Sequence, residues 1–599
     1  MLNERDTTIT ERLGTVPSLE EMQHWTRILG RAQQMITEFA VDQMLKLEPG
    51  ADGTMPQLPA AWSGPIPISD PARIAGAQAD FWLDSMKLWQ RFLFGGGAAD
   101  VDSAPDPAAQ AADRDRRFSA PQWRDNPVFD LIRQSYLLVV DHMLRGVDAV
   151  EGIDDRQREQ IRFATRAFAD AMSPSNFPLT NPLVLEKTFE MRGENLLRGL
   201  DNMLADLGKG QLTHADSSKF ELGRNIAATP GKVVRETPLY QLLHYAPTTP
   251  SVYAVPLLIF PPWINRFYIL DLSPEKSFIK WAVDQGLSVF VVSWKSADSS
   301  MADVTWDDYV MRGQIDAIDA VRNLLKVDSV HTVGYCVAGT TLAATLALLA
   351  TRGEAAKVAS ATFFTAQVDF SEAGDLNLFI TDEQMKLISA LSDNSGYLDG
   401  RYMAATFNLL RARDLVWNYV VNNYMLGQDY PPFDLLHWNG DTTNLPARWH
   451  RSYLEDLYRD NRLVSPGAIY IDGTPIDLTT VKTPSYVQAG REDHIAPPES
   501  VWKITGHFQG PLRFVLAGSG HIAGVVNPPS SGKYQYWTNE KDAADLPSFI
   551  AGATETKGSW WPDWLRWITG IAPDQVKAAG PRKPARKLED APGSYVRMR

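Results

Sequence analysis

Apolar residues recur at helical spacing through the first part of the chain and give way to short β-rich runs near residue 230. Ser18-Leu19-Glu20-Glu21 has the form of a capping box, in which Ser18 bonds the first-turn amides and Glu21 reaches back. Met22, Trp25, Leu29, Ala32, Ile36 and Phe39 then share one helical face, which predicts a bundle helix turned towards a core. Gly95-Gly96-Gly97 opens a stretch of Ala, Asp and Pro to about residue 115 that is expected to be a flexible linker. Helical patterns resume at about Pro127 and run past Met203.

The later runs predict strands at 240–245, 255–260 and 288–294, then an amphipathic helix over 306–325. A strand at 330–334 leads directly to Cys336, a helix follows over 340–350, and 358–364 reads as another strand. Residues 369–477 are helical in texture and rich in Trp and Tyr, and strand character returns only at 485–488 and 512–516. An insertion of that size between core strands has the character of a cap or lid over an active site. The alternation of strands and helices predicts an α/β domain with a largely parallel sheet over 231–599. A mainly α-helical N-terminal domain precedes it over 1–230, and no internal repeat is visible.

Composition narrows the function classes. Among 599 residues, 44% are hydrophobic and 22% charged, which excludes a mainly disordered chain. The net charge of −14 argues against a general nucleic-acid binder, which needs a basic footprint. A charged start (Met1 to Asp6) with no apolar run behind it predicts no signal peptide. The longest apolar candidates, 252–263 and 341–350, fall short of the ~20 residues that span a bilayer. One cysteine in the whole chain excludes intrachain disulfides and Cys-cluster metal sites, and fits a reducing, cytoplasmic compartment.

That cysteine lies in Gly334-Tyr335-Cys336-Val337-Ala338-Gly339, where a strand ends, small residues flank a nucleophile type, and a helix begins. This is the layout of a nucleophile elbow, with Ala338 where the strict pattern has glycine. The elbow makes the fold class an α/β-hydrolase catalytic domain with a cap insertion, and it predicts an acid and then a histidine after later strands. Asp493 follows the strand at 485–488, with Glu492 adjacent as a competing acid; His521 follows the next strand in Gly518-Ser519-Gly520-His521. His494 competes for the base but sits in the loop expected to supply the acid. In the expected roles His521 takes the proton of Cys336, Asp493 orients His521, and the thiolate–imidazolium pair keeps the sulfur nucleophilic. The oxyanion hole would use the amide of Val337 and, from the loop after an early strand, that of Ile264. Sulfur in place of a serine oxygen points to acyl transfer from a thioester donor, because thioester exchange keeps the acyl group activated.

The elbow, Pro261-Pro262-Trp263-Ile264-Asn265-Arg266, Gly490-Arg491-Glu492-Asp493-His494-Ile495 and Gly518-Ser519-Gly520-His521 resemble polyhydroxyalkanoate synthases. Ser173-Pro174-Ser175-Asn176-Phe177, Trp438-Asn439-Gly440-Asp441 and the ending 588–596 are similar to that family too. Length and N-terminal region resemble class I, the synthases that favour short side chains. The resemblance implies polymerisation of (R)-3-hydroxyacyl-CoA into polyester with release of CoA and no further cofactor. It also implies Cys336, Asp493 and His521 as nucleophile, acid and base, with a second role for Asp493 in deprotonating the substrate hydroxyl. Arg411 and Asn461 match family positions near substrate and CoA. A homodimer, the growing chain and its granule surface, and phasin-type proteins are the implied partners. A cysteine hydrolase of the same fold, or a granule-binding protein without activity, are the competing readings. Trp560, Trp561, Trp564 and Trp567 are expected to be core positions of a tail helix packed on the sheet.

Overall fold

Short polar side chains ahead of apolar-periodic runs start the helices of the N-terminal region. The computed structural model describes residues 19–46, 71–94, 115–584 and 588–599. Helices α1 (Leu19–Lys46) and α2 (Pro71–Phe94) are followed by α3 (Pro127–Asp148), which Asn126 caps by accepting the Val128 amide. Asp154 and Gln157 form a reciprocal capping box on α4 (Asp155–Ala171), and α5 (Glu194–Lys209) closes the series. Ser18 and the expected linker up to residue 114 lie outside the described residues.

The described residues of 1–214 and 405–431 form one compact unit; residues 215–404 and 432–599 form a second. In the first, α1 packs on α5, and α3 packs on α2 and α4. The expected core face of α1 is rotated. Among the described side chains Trp25 and Ala32 of that face are half-buried and Ile28 beside them is buried, whereas Leu29 and Ile36 are 68% and 52% exposed; the side chains of Met22 and Phe39 lie outside the described ones. Contact with one helix buries a narrow stripe, and here the stripe centres one residue round from Leu29.

Segment 405–431, expected as part of the lid, packs with these helices through backbone contacts. Gly199 of α5 lies so close to it that an added Cβ would stand 1.7 Å from the Tyr424 carbonyl oxygen. Asn195 and Asn202 donate to the carbonyls of Met425 and Asn423, and Tyr424 donates to Asp206. The expected boundary at 230/231 falls inside the second unit, because Ala227 and Thr229 are bonded to Asp271 of that unit.

The second unit is built on a ten-stranded sheet. Its strands are β1 (Gly231–Glu236), β2 (Tyr240–Tyr245), β3 (Leu257–Phe260), β4 (Val289–Trp294) and β5 (Val330–Tyr335). They continue with β6 (Val358–Phe364), β7 (Ser485–Gly490), β8 (Leu512–Ala517), β9 (Gln535–Thr538) and β10 (Thr554–Lys557). The order is β1-β2-β4-β3-β5-β6-β7-β8-β9-β10. The central strands from β4 to β8 are parallel, and the pairs at both edges are antiparallel.

Apolar runs such as Val289-Phe290-Val291-Val292 suit strands buried on both faces. One face packs against α7 (Asp316–Leu325) and α8 (Val337–Thr351); the other packs against α6 (Phe278–Asp284) and α9 (Trp561–Ile571). The helix expected over 306–325 contains a π-helical turn, Tyr309–Ile315, ahead of α7. Trp560, Trp561 and Trp564 are buried as expected, and the Trp564 indole donates to Thr362 of β6 at 3.0 Å. Between β6 and β7 runs the long insertion, of which all but 405–431 belongs to this unit.

Because Trp564 is fully buried and bonded to the sheet, Trp564→Ala is expected to destabilise this unit by ~3–5 kcal/mol. Urea unfolding followed by circular dichroism checks this, and a midpoint equal to that of the unmodified protein contradicts it.

Candidate active site

The parallel register brings the carboxyl ends of the central strands to one edge. Phe260 of β3 lies opposite Gly334 of β5, Tyr335 opposite Phe364 of β6, and Gly490 of β7 opposite Ala517 of β8. The loops leaving β3, β5, β6, β7 and β8 therefore open at the same side of the sheet, where open α/β sheets hold their ligands.

Cys336 forms the turn between β5 and α8 at φ +53° and ψ −127°. A side chain there costs roughly 1–3 kcal/mol, which the surroundings must supply. The strand and helix meet closely around it. A Cβ on Gly334 would stand 2.6 Å from the Gly339 Cα, and one on Gly339 would stand 2.4 Å from the Ala366 Cβ. The close contact thus falls at Gly339, so that Ala338, at the strict glycine position, is tolerated as a fully buried residue. The Cys336 amide donates to the Phe364 carbonyl, and Gln314 donates to that of Ala338, which fixes the first turn of α8.

The loops after β7 and β8 bring the acid and the imidazole together. His521 Nδ1 and Asp493 Oδ2 are 2.7 Å apart, and Asp493 Oδ1 accepts the amides of Ile495 and Ala496. Asp493 is buried, whereas the adjacent Glu492 is exposed. His494 stays half-buried in the acid's own loop, and His521 is the histidine paired to that carboxylate. The Tyr335 hydroxyl, one residue before Cys336, donates to the His521 carbonyl at 2.9 Å. Cys336, half-buried, is close enough to His521 for its sulfur to act on the charge of the imidazole. Burial opposes a charged imidazole, but the Asp493 carboxylate and the Cys336 sulfur outweigh it and push His521 up to about 10. The arrangement can keep the imidazole charged beside the sulfur through the neutral range.

Val337 opens α8, so its amide adds to the positive end of that helix. Ile264 lies in the loop after β3, ahead of Asn265 at φ +68°. Neither the Val337 nor the Ile264 amide donates to a backbone acceptor among the described residues. Asn461, expected near substrate, has both ends of its carboxamide committed to the chain: Nδ2 donates to Asp369, and Oδ1 accepts the Phe370 amide. Arg411 belongs to segment 405–431 of the helical unit, where it is half-exposed and paired with Asp414 at 2.6 Å.

Sequence reasoning missed Tyr453 and Tyr458. They lie on a π-helical turn, Tyr453–Arg459, of the kind often found at functional sites. Burial raises both phenols, and the charge of Cys336 adds to the shift, which sets them within its electrostatic reach. The aromatic-rich texture of the insertion was the available signal. Among the described residues no group of three or more His, Cys, Asp or Glu side chains is placed to hold a metal ion. None of the described helices is long and apolar enough to cross a membrane.

Residues 114–282 match the family described as "Poly-beta-hydroxybutyrate polymerase (PhaC) N-terminus", and 256–528 match the alpha/beta hydrolase fold. The chain is similar to the "Poly(3-hydroxyalkanoate) polymerase subunit PhaC" of Rhizobium meliloti (strain 1021). The two are 46% identical over 536 residues, which is 89% of this chain and 87% of that protein. The "Poly(3-hydroxyalkanoate) polymerase" of Methylorubrum extorquens is 42% identical, over 98% of this chain and all of that protein. The Cupriavidus necator protein named "Poly(3-hydroxyalkanoate) polymerase subunit PhaC" is 42% identical, over 88% and 89% of the two chains.

The charge balance at His521 can be read directly. Ring ¹⁵N NMR of labelled histidine is expected to show both nitrogens protonated at pH 8, with loss of the proton near pH 10. Cys336→Ala removes the sulfur that helps raise His521, so the pKa falls; an unchanged or higher value contradicts the pairing.

Proposed function

The chain belongs to the poly(3-hydroxyalkanoate) polymerase family, and from that premise we propose that it builds a short-side-chain polyester through a thioester on Cys336. As a member of the family it is an acyltransferase that makes polyester from hydroxyacyl-CoA. The remaining steps are our reading of its site.

The Cys336 thiolate attacks the thioester carbonyl of (R)-3-hydroxyacyl-CoA, and the developing oxyanion is taken up by the amides of Val337 and Ile264. Collapse expels CoA thiolate, which takes its proton from the His521 imidazolium, and leaves an acyl–Cys336 thioester. A second hydroxyacyl-CoA binds noncovalently. Its 3-hydroxyl gives a proton to His521 and attacks the acyl–Cys336 carbonyl, forming the ester and releasing the Cys336 thiolate. The lengthened chain, now on CoA, is drawn back onto Cys336 by the first reaction, and CoA leaves with the proton. Thioester exchange is close to neutral, and formation of the oxygen ester supplies the drive.

Two observations support this cycle. With one cysteine in the chain, a scheme with two thiolates would need two subunits to share a site. The Asp493 carboxylate is occupied by two backbone amides and His521 Nδ1, which favours His521 over Asp493 as the base for the substrate hydroxyl. Asn461 would act by holding segment 369–370 in place, and Arg411 is the candidate for meeting a CoA phosphate. We assign the chain to class I, acting as a homodimer without cofactor or metal, in the cytoplasm at the surface of polyester granules alongside phasin-type proteins.

The observation that carries the proposal is the grouping of Cys336, His521 and Asp493 at the strand ends. Incubation with (R)-3-hydroxybutyryl-CoA is expected to yield polymer and free CoA; release of the free hydroxyacid in place of polymer contradicts it. Cys336→Ala should lower CoA release by at least about a thousandfold.

A further inference from the structure

A buried hydroxyl holds the two backbone groups that flank Ile264, and the Asn265 carboxamide adds a bond to the Asn439 carbonyl at 3.3 Å. Thr443 is 6% exposed. Its Oγ1 donates to the Trp263 carbonyl at 2.7 Å and accepts the Asn265 amide at 2.8 Å. These groups border Ile264 on both sides. The Trp263 carbonyl and the Ile264 N–H belong to the same peptide plane, and in a trans peptide they point in opposite directions. A hydroxyl that fastens the carbonyl therefore fixes where the N–H points, away from Thr443. The Asn265 amide, held by the same oxygen, fixes the next plane.

Asn265 sits at φ +68°, a conformation that an L side chain rarely keeps unless its surroundings impose it. Further bonds anchor the loop at its ends: the Trp294 indole donates to the Pro261 carbonyl and the Trp438 indole to that of Arg266, both at 2.8 Å. At the centre, where the peptide must keep one face, the fastening is Thr443.

We propose that Thr443 is the positioning residue for the second oxyanion donor: its hydroxyl holds the 263–264 peptide so that the Ile264 N–H meets the carbonyl oxygen of the acyl group attacked by Cys336. This rests on the reading of Cys336 as nucleophile and of Ile264 as a donor. Thr443 touches no reacting atom. A donated hydrogen bond at the Trp263 carbonyl also polarises the Ile264 N–H, because linked hydrogen bonds strengthen one another.

The test pairs Thr443→Val, which keeps the shape and removes the hydroxyl, with Thr443→Ser, which keeps the hydroxyl. CoA release from (R)-3-hydroxybutyryl-CoA gives kcat and KM; alkylation of Cys336 by iodoacetamide reports the thiolate in a reaction that forms no oxyanion. Thr443→Val is expected to lower kcat at least about tenfold with KM within about twofold, while the alkylation rate stays that of the unmodified protein. Thr443→Ser is expected to return kcat to within about threefold of the unmodified value. If the valine variant does not fold, Thr443→Ala is measured in its place with the same split expected. Unchanged kcat in the hydroxyl-free variant overturns the proposal, and so does a parallel fall in kcat and alkylation. Cys336→Ala is run beside them: turnover surviving in that variant sinks the nucleophile reading itself, whereas an inactive Cys336→Ala beside a fully active Thr443→Val sinks the role of Thr443 alone.

Discussion

Cys336 is held at φ +53°, a conformation that a residue with a side chain adopts only under constraint. The constraint is the close approach of strand and helix on either side of it, possible because Gly334 and Gly339 have no Cβ to keep them apart. The Cys336 amide is tied to β6 through Phe364, Tyr335 reaches across to the histidine loop, and Gln314 steadies the first turn of the helix. A buried parallel sheet is the scaffold that can impose this geometry, since its register places five loops at one edge. The reactive sulfur is thus presented by packing, and the loops around it supply the charge and the hydrogen-bond donors.

Charge and thiol count shape the chemistry that follows. A carboxyl group held by two amides and an imidazole is fixed in place, suited to keeping the imidazole charged beside the Cys336 sulfur. In the proposed cycle the same commitment leaves His521 to handle the proton of the incoming hydroxyl. One thiol per chain then favours a cycle in which only one acyl group is covalent at a time. Tyr453 and Tyr458, buried in the aromatic cluster of the insertion, lie within the electrostatic reach of the sulfur.

Much of this was legible in the sequence, for physical reasons. The central strands announce themselves because burial on both faces favours apolar runs, as in Val289-Phe290-Val291-Val292. The edge strands escaped notice: Thr554–Lys557 is fully exposed, and in Gly231–Glu236 only Val233 is buried, so their pairing rests on backbone bonds that leave no apolar pattern. The turn at Cys336 and the pairing of Asp493 with His521 were legible from the order of motifs along the chain. The choice between Asp493 and Glu492 needed the structure, which buries one and exposes the other. The attachment of 405–431 to the helical unit was hidden because it depends on asparagines reaching carbonyls and on the missing Cβ of Gly199. Thr443 was invisible for a similar reason, since its part depends on two backbone groups far away in the sequence.

The proposed covalent intermediate on Cys336 is open to direct measurement. Protein quenched in acid during turnover of (R)-3-hydroxybutyryl-CoA can be digested and its peptides weighed by mass spectrometry. The account predicts hydroxybutyryl units, single or in short chains, on the peptide containing Cys336, released by neutral hydroxylamine as a thioester is. Acyl mass on a serine or threonine peptide, or turnover with no acylated Cys336 at any quench time, would contradict it.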